Sequence, residues 1–320
     1  MNLKRIVLIG GSGFVGKAIA NHLSAAGVEI CIPTRHRSRA AHLLVLPTAE
    51  VVEADVHDPA TLTRLCDGAD AVINLVGVLH SRPGTPYGPD FARAHVELPA
   101  RIASACAQAG VPRLIHISAL GADANGPSEY QRSKAAGEAA IRASEGPAWT
   151  ILRPSVIFGP DDSFLNLFAG LARVFPVLPL AGADARFQPV FVDDVARVVM
   201  HCLTHPETVE QIHEVAGPTI YSLRELVAYV ATLLGKHRLI IPLPEGIAML
   251  QARLMELAPQ PLMSRDNVRS MKADNIATGA PLPFGMEPTA LEAIAPAYIG
   301  NARLRAGYYP SRTRARRGLD

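Results

Sequence analysis

Tyr130 and Lys134 stand four positions apart in Tyr130-Gln131-Arg132-Ser133-Lys134. On a helix that spacing puts both side chains on one face. An ammonium beside a phenol favours the phenolate, which suits the pair to general acid/base work at a carbonyl or carbinol carbon. A second set lies near the start of the chain, in Gly10-Gly11-Ser12-Gly13-Phe14-Val15-Gly16. Glycines at 10, 13 and 16 follow an apolar strand and lead into a helical pattern, the context in which a glycine turn cradles a pyrophosphate. Gly10 permits the turn, Gly13 lets phosphate approach, and Gly16 lets the helix lie on the strand. Ser12, Phe14 and Val15 would contribute backbone amides at the positive end of the helix. With a dinucleotide there, Lys134 could also hold its nicotinamide ribose.

The end of the second strand decides between nucleotides. An NAD site expects a carboxylate there for the ribose 2′-hydroxyl. The chain instead reads Ile32-Pro33-Thr34-Arg35-His36-Arg37-Ser38-Arg39, and guanidinium groups suit a 2′-phosphate. Thr34, Arg35 and Arg37 are therefore the expected contacts, NADP(H) is favoured, and NAD(H) stays open as the alternative. Asp55 and Val56 after the third strand are expected near the adenine. Asn74, Val76 and Gly77 after the fourth, and Pro154 after the sixth, would line the rest of the cofactor.

These residues need a parallel sheet to hold them. Strand-length apolar runs at Lys4–Ile9, Val28–Ile32, Glu50–Ala54, Ala71–Val76, Arg113–Ile117 and from Thr150 alternate with helical segments. The helices are expected at Gly16–Ala26, Ala60–Cys66, Phe91–Ala109 and Tyr130–Ser144. The pattern predicts an α/β fold, a doubly wound parallel sheet covered on both faces. Residues 1–152 form the expected dinucleotide-binding domain. Residues 153–300 form a smaller C-terminal lobe that lends elements back to it, and 301–320 a basic, mobile tail. In the second lobe, helices are expected at Val195–Thr204 and at Leu223–Leu234, where Ser222 and Glu225 form a capping box. The Pro- and Met-rich stretch from Leu239 to Ile299 holds one amphipathic helix, around Ile247–Leu257.

Composition bounds the rest. The 320 residues are 49% apolar and carry 31 Lys and Arg against 29 Asp and Glu, net +2, with only 5% aromatic residues. That excludes a disordered chain, and it speaks against nucleic acid as a partner. Cys31, Cys66, Cys106 and Cys202 are scattered, as expected of reduced core thiols in a cytoplasmic protein. His22, His42, His57, His80, His95, His116 and His201 show no ligand spacing, so no metal is expected. No apolar run approaches the ~18 residues of a transmembrane segment.

GGSGFVG, YQRSK and the Leu152–Pro160 stretch LRPSVIFGP resemble the extended or atypical branch of the short-chain dehydrogenase/reductase superfamily. Ser118-Ala119-Leu120-Gly121-Ala122, the RSKAAGE continuation and Glu287–Glu292 most resemble a narrower family. That family comprises the NADPH-binding accessory subunit of respiratory complex I and its bacterial relatives. The resemblance covers roughly residues 4–300. It implies a tightly held NADPH and a structural, assembly or redox-sensing role at a membrane-bound respiratory complex. Such a protein would be cytoplasmic and peripheral at the inner membrane. The superfamily's catalytic set is a hydroxyl after the fifth strand, then Tyr and Lys. Tyr130 and Lys134 match, but the hydroxyl position of extended members is Ala119 here. Ser118, twelve residues before Tyr130, is the candidate in its place, or else a strand-end residue serving its backbone neighbours. The alternative function is an NADP(H)-dependent reductase or nucleotide-sugar epimerase or dehydratase. Its small-molecule substrate would lie between the lobes, with Arg153, Arg173 and Arg186 as candidate contacts.

Overall fold

A computed structural model of the chain describes residues 3–258 and 261–300, so the basic stretch 301–320 lies outside the described residues. The chain opens as β1 (Arg5–Ile9), α1 (Phe14–Ala25) and β2 (Glu29–Thr34), then β3 (Ala49–Glu53), α2 (Pro59–Cys66) and β4 (Ala71–Asn74). A short α3 (Pro89–Phe91) runs through a π-helical stretch at Ala92–Glu97 into α4 (Leu98–Ala109), followed by β5 (Arg113–Ile117), α5 (Glu129–Arg142) and β6 (Ala148–Pro154). Next come β7 (Ile157–Phe158), α6 (Phe164–Val174), β8 (Val177–Ala181), β9 (Arg186–Phe187), β10 (Val190–Phe191) and α7 (Val192–Thr204). The last elements are β11 (Gln211–Val215), β12 (Tyr221–Ser222), α8 (Leu223–Leu233), β13 (Leu239–Leu243), α9 (Glu245–Met255), α10 (Arg265–Ser270) and α11 (Leu291–Ile299).

Seven parallel strands form the main sheet in the order β11-β6-β5-β4-β1-β2-β3. Alternate side chains of a strand point to opposite faces, and β1 shows what that does here. Ile6 and Leu8 join the layer with Ile19 and Leu23 of α1 and Val195, Val198 and Val199 of α7. Val7 and Ile9 join the layer with Leu62 and Leu65 of α2 and Ile102 and Cys106 of α4. The expected doubly wound sheet is therefore present. Its seventh strand and one covering helix come from beyond residue 153, after β7, α6 and β8 have left the sheet. A separate apolar cluster joins α6, α8 and α11 through Leu165, Leu226, Val230 and Ala295.

Differences from the sequence reading have local causes. The helix expected from Phe91 starts at Pro89 and widens to π geometry just before Pro99, which has no N–H to give the turn behind it. Between Leu239 and Ile299 there are three helices and a strand rather than one helix. The six residues of α10 are mostly polar and α11 has Pro296 in its interior, so neither carries a readable period. On α9 the buried face is the small pair Ala248 and Ala252, while Ile247, Leu250 and Leu254 are exposed.

Candidate functional site

Strands β1 and β4 are neighbours at the middle of the sheet, and the chain winds outward from them in opposite directions. A crevice opens outside the carboxyl ends of strands at such a switch point. Gly10 follows β1 there with φ +83, and a Cβ on it would lie 3.2 Å from the Leu75 carbonyl carbon and the Val76 nitrogen. A Cβ on Gly16 would lie 2.4 Å from the Gly11 oxygen, so the helix rests directly on the turn. Gly13 is exposed, and a Cβ there would meet only the Gly10 oxygen, at 3.3 Å. Helix α1 begins at Phe14, two residues before the start read from the sequence, because Gly13 serves as its N-cap. No side chain caps it, which leaves first-turn amides available to an anion. The Phe14 ring packs where a Cβ on Gly159 would meet its Cζ at 3.1 Å, which joins the LRPSVIFGP stretch to the glycine turn. This turn, open at Gly13 and closed around Gly10 and Gly16, fits a pyrophosphate group.

Thr34 is buried at the end of β2, its hydroxyl within 3.3 Å of the His36 oxygen. Arg35, Arg37 and Arg39 that follow are exposed, and among the described residues none of their guanidinium groups has a hydrogen bond or ion pair. Burial lowers the pKa of His57, and Arg93, then Arg101 and Arg35, push it further down. Arg93 therefore shares its field with Arg35 across the Asp55–His57 turn. No local signal marked Arg93, which arrives from the π-helical stretch. Asp55 turns the chain by accepting the His57 N–H at 2.9 Å, and Val56 is half-buried beside it. The buried Asn74 side chain is engaged internally, with His116 Nδ1 at 3.1 Å and the Val76 N–H at 3.1 Å. What it contributes is the path of the backbone through Val76 and Gly77. Pro154 is buried at the end of β6, and its carbonyl accepts the Leu120 N–H at 2.9 Å.

Across the crevice, Ser128 and Gln131 form a capping box at the start of α5. Lys134, buried one turn on, donates from Nζ to the Ile117 carbonyl at 2.9 Å. Burial pushes its pKa down to about 8, against a smaller upward pull from Glu138. The Tyr130 ring packs edge-on against Phe91 and His95, with centroids 6.0 and 5.4 Å away. Here the expectation of a lowered phenol fails: burial pushes the Tyr130 pKa up to about 12. The Lys134 charge is committed to a carbonyl and acts instead on His95 and His116, whose protonation it opposes together with burial.

Read from sequence as bland, His95 and His116 are central to the site. His95 Nε2 accepts the Val78 N–H at 3.0 Å, so its Nδ1 carries the proton and donates to Ser133 Oγ at 2.8 Å. Ser133 in turn donates to the Tyr130 carbonyl at 2.8 Å. His95 thus links the segment after β4 to the turn that carries Tyr130. Ser118 is buried, its backbone N–H donates to the Leu152 carbonyl at 2.7 Å, and its hydroxyl has no partner.

Two further contacts had no sequence signal. Asp266 on α10 accepts the Glu129 N–H at 2.7 Å and the Tyr130 N–H at 3.0 Å. Glu138, buried on α5, takes a two-pronged bond from Arg153 at 2.9 and 2.5 Å. Arg153 is therefore not free for a ligand. Nor is Arg186, paired with Asp274 at 2.7 Å, or Arg173, bonded to the Ile299 carbonyl at 3.4 Å.

The sequence profile of the NAD dependent epimerase/dehydratase family matches residues 6–217. The mitochondrial NADH dehydrogenase (ubiquinone) 1 alpha subcomplex subunit 9 of Mus musculus is 34% identical over 295 residues, 89% of this chain and 77% of that protein. The ceramide reductase of Caulobacter vibrioides is 32% identical over 242 residues, 75% of this chain and 74% of that protein. Among solved structures, Pal from Bacillus thuringiensis superposes with a TM-score of 0.72 over 92% of this chain and 98% of its own, at 13% identity. No helix among the described residues is long and apolar enough to cross a membrane.

Proposed function

The chain belongs to the NAD-dependent epimerase/dehydratase family, and from that premise we propose that it retains NADP(H) as an accessory subunit of a membrane-bound respiratory complex. Its role there is structural, assembly or redox-sensing. The single observation that carries the choice of nucleotide is Arg35, exposed and unpaired beyond β2 where NAD sites keep a carboxylate. Backbone amides of Gly10, Ser12, Gly13, Phe14, Val15 and Gly16 would hold the pyrophosphate. Thr34, Arg35 and Arg37, with Arg93 close by, would hold the 2′-phosphate. Asp55 and Val56 would meet the adenine, and Asn74, Val76, Gly77 and Pro154 would line the remaining wall. Lys134 would reach the nicotinamide ribose. When bound, the nicotinamide supplies a hydride donor or acceptor.

The accessory role draws on the mouse relative and on a ridge that a free-standing enzyme does not need. Ile247, Leu250 and Leu254 of α9 are 55, 58 and 62% exposed, continued by Leu257 and Leu262, in a lobe spanning residues 153–300. Exposed apolar stripes of this kind mark protein contacts. Attachment would be peripheral, at the cytoplasmic face of an inner membrane.

Native mass spectrometry of the purified full chain tests this. One NADP(H) per chain is expected, with no NADPH consumed across a panel of quinones, sugars and carbonyl compounds. Sustained consumption rejects the accessory role, and failure to retain or bind any dinucleotide rejects the nucleotide assignment.

One observation favours a second reading as an NADP(H)-dependent reductase or nucleotide-sugar epimerase or dehydratase. The Ser118 hydroxyl is buried without a partner, and such a group is costly unless a ligand completes it. There Ser118 would steady the substrate oxygen, Tyr130 would exchange its proton, and Lys134 would hold a positive charge beside them. Tyr130→Phe then loses about 10²-fold or more in turnover while dinucleotide binding survives.

A further inference from the structure

Strands β8 and β13 pair in parallel apart from the main sheet, with Val177 opposite Leu239 and Pro179 opposite Ile241. Partners in register point to the same face, and all four of these side chains are exposed. Leu178, Leu180 and Ile240 turn the other way, into the cluster shared with α6, α8 and α11. Val174 and Phe175, 70 and 51% exposed, lead into β8. Helix α9 follows β13 directly and packs through Ala248 and Ala252 in one cluster with Ala181 of β8, so its apolar stripe borders this face. Ten of the fourteen large apolar side chains exposed among the described residues lie in three stretches, 174–177, 239–241 and 247–262. We propose that the outer face of β8 and β13, with the arginine-rich chain that leaves beside it, docks on an anionic lipid bilayer. The proposal rests on the accessory reading, whose peripheral attachment it assigns to a surface and a lipid chemistry.

Charge at the rim sets the class of partner. Arg173, Lys236 and Arg238 gather where α6 ends and β13 begins. Each donates to a carbonyl: that of Ile299 at 3.4 Å, of Arg173 at 2.8 Å and of Ala172 at 2.7 Å. Among the described residues none of the three has an acidic partner. The bond from Arg173 to Ile299 also fixes where the chain goes next. Gly300 follows beside α8, and a Cβ on it would lie 3.7 Å from the Leu233 oxygen. The chain therefore passes residue 300 at this rim. The twenty residues that follow in the sequence hold Arg303, Arg305, Arg312, Arg314, Arg316 and Arg317, against Asp320 as their one acid. Tyr308 and Tyr309 stand among them, a residue type that settles at the headgroup level of a bilayer.

Lipid suits this surface better than an acidic protein does. The anchors of protein interfaces are Trp, Tyr and Arg seated in pockets, with Leu and Val under-represented. The β8–β13 face is aliphatic apart from Phe175, and its cations lie at one end of the strands. A bilayer asks for no complementary shape. Aliphatic side chains enter the acyl boundary while guanidinium groups pair with lipid phosphate. Contributions from several cations add and are screened by salt, which makes such attachment reversible and salt-sensitive.

The experiment mixes the full chain, loaded with NADPH, with phosphatidylcholine vesicles that contain or lack phosphatidylglycerol, and separates bound protein by flotation. Binding is expected only with phosphatidylglycerol, and it should fall by about tenfold or more from low to high salt. Leu239→Thr combined with Ile241→Thr, at exposed positions of β13, should weaken partitioning by about tenfold or more. Arg312→Gln, Arg314→Gln, Arg316→Gln and Arg317→Gln together should weaken it by about 100-fold. Ile220→Thr, at an exposed apolar position elsewhere, should leave it unchanged, and thermal melts should show every variant folded like the parent. NADPH bound and NADPH consumed are read on the same samples. Loss of vesicle binding with nucleotide retained overturns this inference alone, whereas consumption overturns the accessory reading alone. Equal binding to both vesicles, binding to neither, or partitioning that ignores both sets of substitutions would overturn the proposal. A soluble dimer that the Leu239 and Ile241 substitutions dissociate, without vesicle binding, would give the face to a second copy of the chain instead.

Discussion

Asp266 caps the start of α5 at Glu129 and Tyr130 from 136 residues beyond Tyr130, its two carboxylate oxygens receiving the Glu129 and Tyr130 amides. Ser128 takes the Gln131 amide, and Arg132 donates to the Ser128 carbonyl, so every first-turn donor of α5 is accounted for. Helix α10, far along the chain, therefore supplies part of the start of the helix on which any chemistry would depend.

Replacing this cap should be felt as stability. Asp266→Ala leaves the buried Glu129 amide and the half-buried Tyr130 amide without that acceptor and is expected to cost about 1–2 kcal/mol, read by denaturant unfolding. Asp266→Asn keeps one of the two acceptors, so it should recover only part of the loss. Equal stability of the alanine variant and the parent would show that the cap contributes nothing.

The glycine turn separates folding from binding. Gly16→Ala would press a methyl to 2.4 Å from the Gly11 oxygen, so it should lower Tm by several degrees. Gly13→Ala has open space apart from the Gly10 oxygen at 3.3 Å. It should fold normally yet lose NADPH affinity by tenfold or more, because the methyl stands where phosphate must approach. Fluorescence titration and thermal melts on the two variants distinguish these outcomes.

Arg35→Ala should narrow the preference for NADPH over NADH by roughly 10- to 100-fold, the size of one or two charge-assisted bonds. Calorimetry with both nucleotides reads the ratio. A ratio unchanged by the substitution would move the 2′-phosphate away from β2.

Acid should destabilise the fold through His95, whose pKa burial and Lys134 lower to about 3, below the ordinary 6.5 of the unfolded chain. Between those values the unfolded state binds more protons, so stability is full above pH 6.5 and falls as pH drops toward 3. From pH 7 to pH 5 the loss from this one group is about 2 kcal/mol. His95→Gln, which can still accept from Val78 and donate to Ser133, should show a shallower decline in unfolding experiments over that interval.

Much of the frame was legible because strands buried on both faces read as apolar runs and glycines mark a turn that nothing else can make. Arg113–Ile117 matched to the residue, and the Ser222–Glu225 capping box is present as read. The site was legible only where its residues are close in sequence, as in Tyr130 and Lys134. His95 works through Val78 and Ser133, Asp266 through a distant helix start, and Arg93 through a shared field with Arg35. Such partners are set by how layers stack, and no local spacing encodes them. The sign of the Tyr130 shift was missed for a related reason. The spacing placed a cation on the same helical face but could not show that the Ile117 carbonyl would claim it.

The order in which β11 and α7 arrive has a consequence for synthesis on the ribosome. A fragment stopping at residue 152 would leave β6 as a bare border with open N–H and C=O groups, and α1 stripped of the helix that shields it. The seven-stranded sheet cannot be finished until Val215 has emerged, so nascent chains shorter than that should be sticky and protease-sensitive.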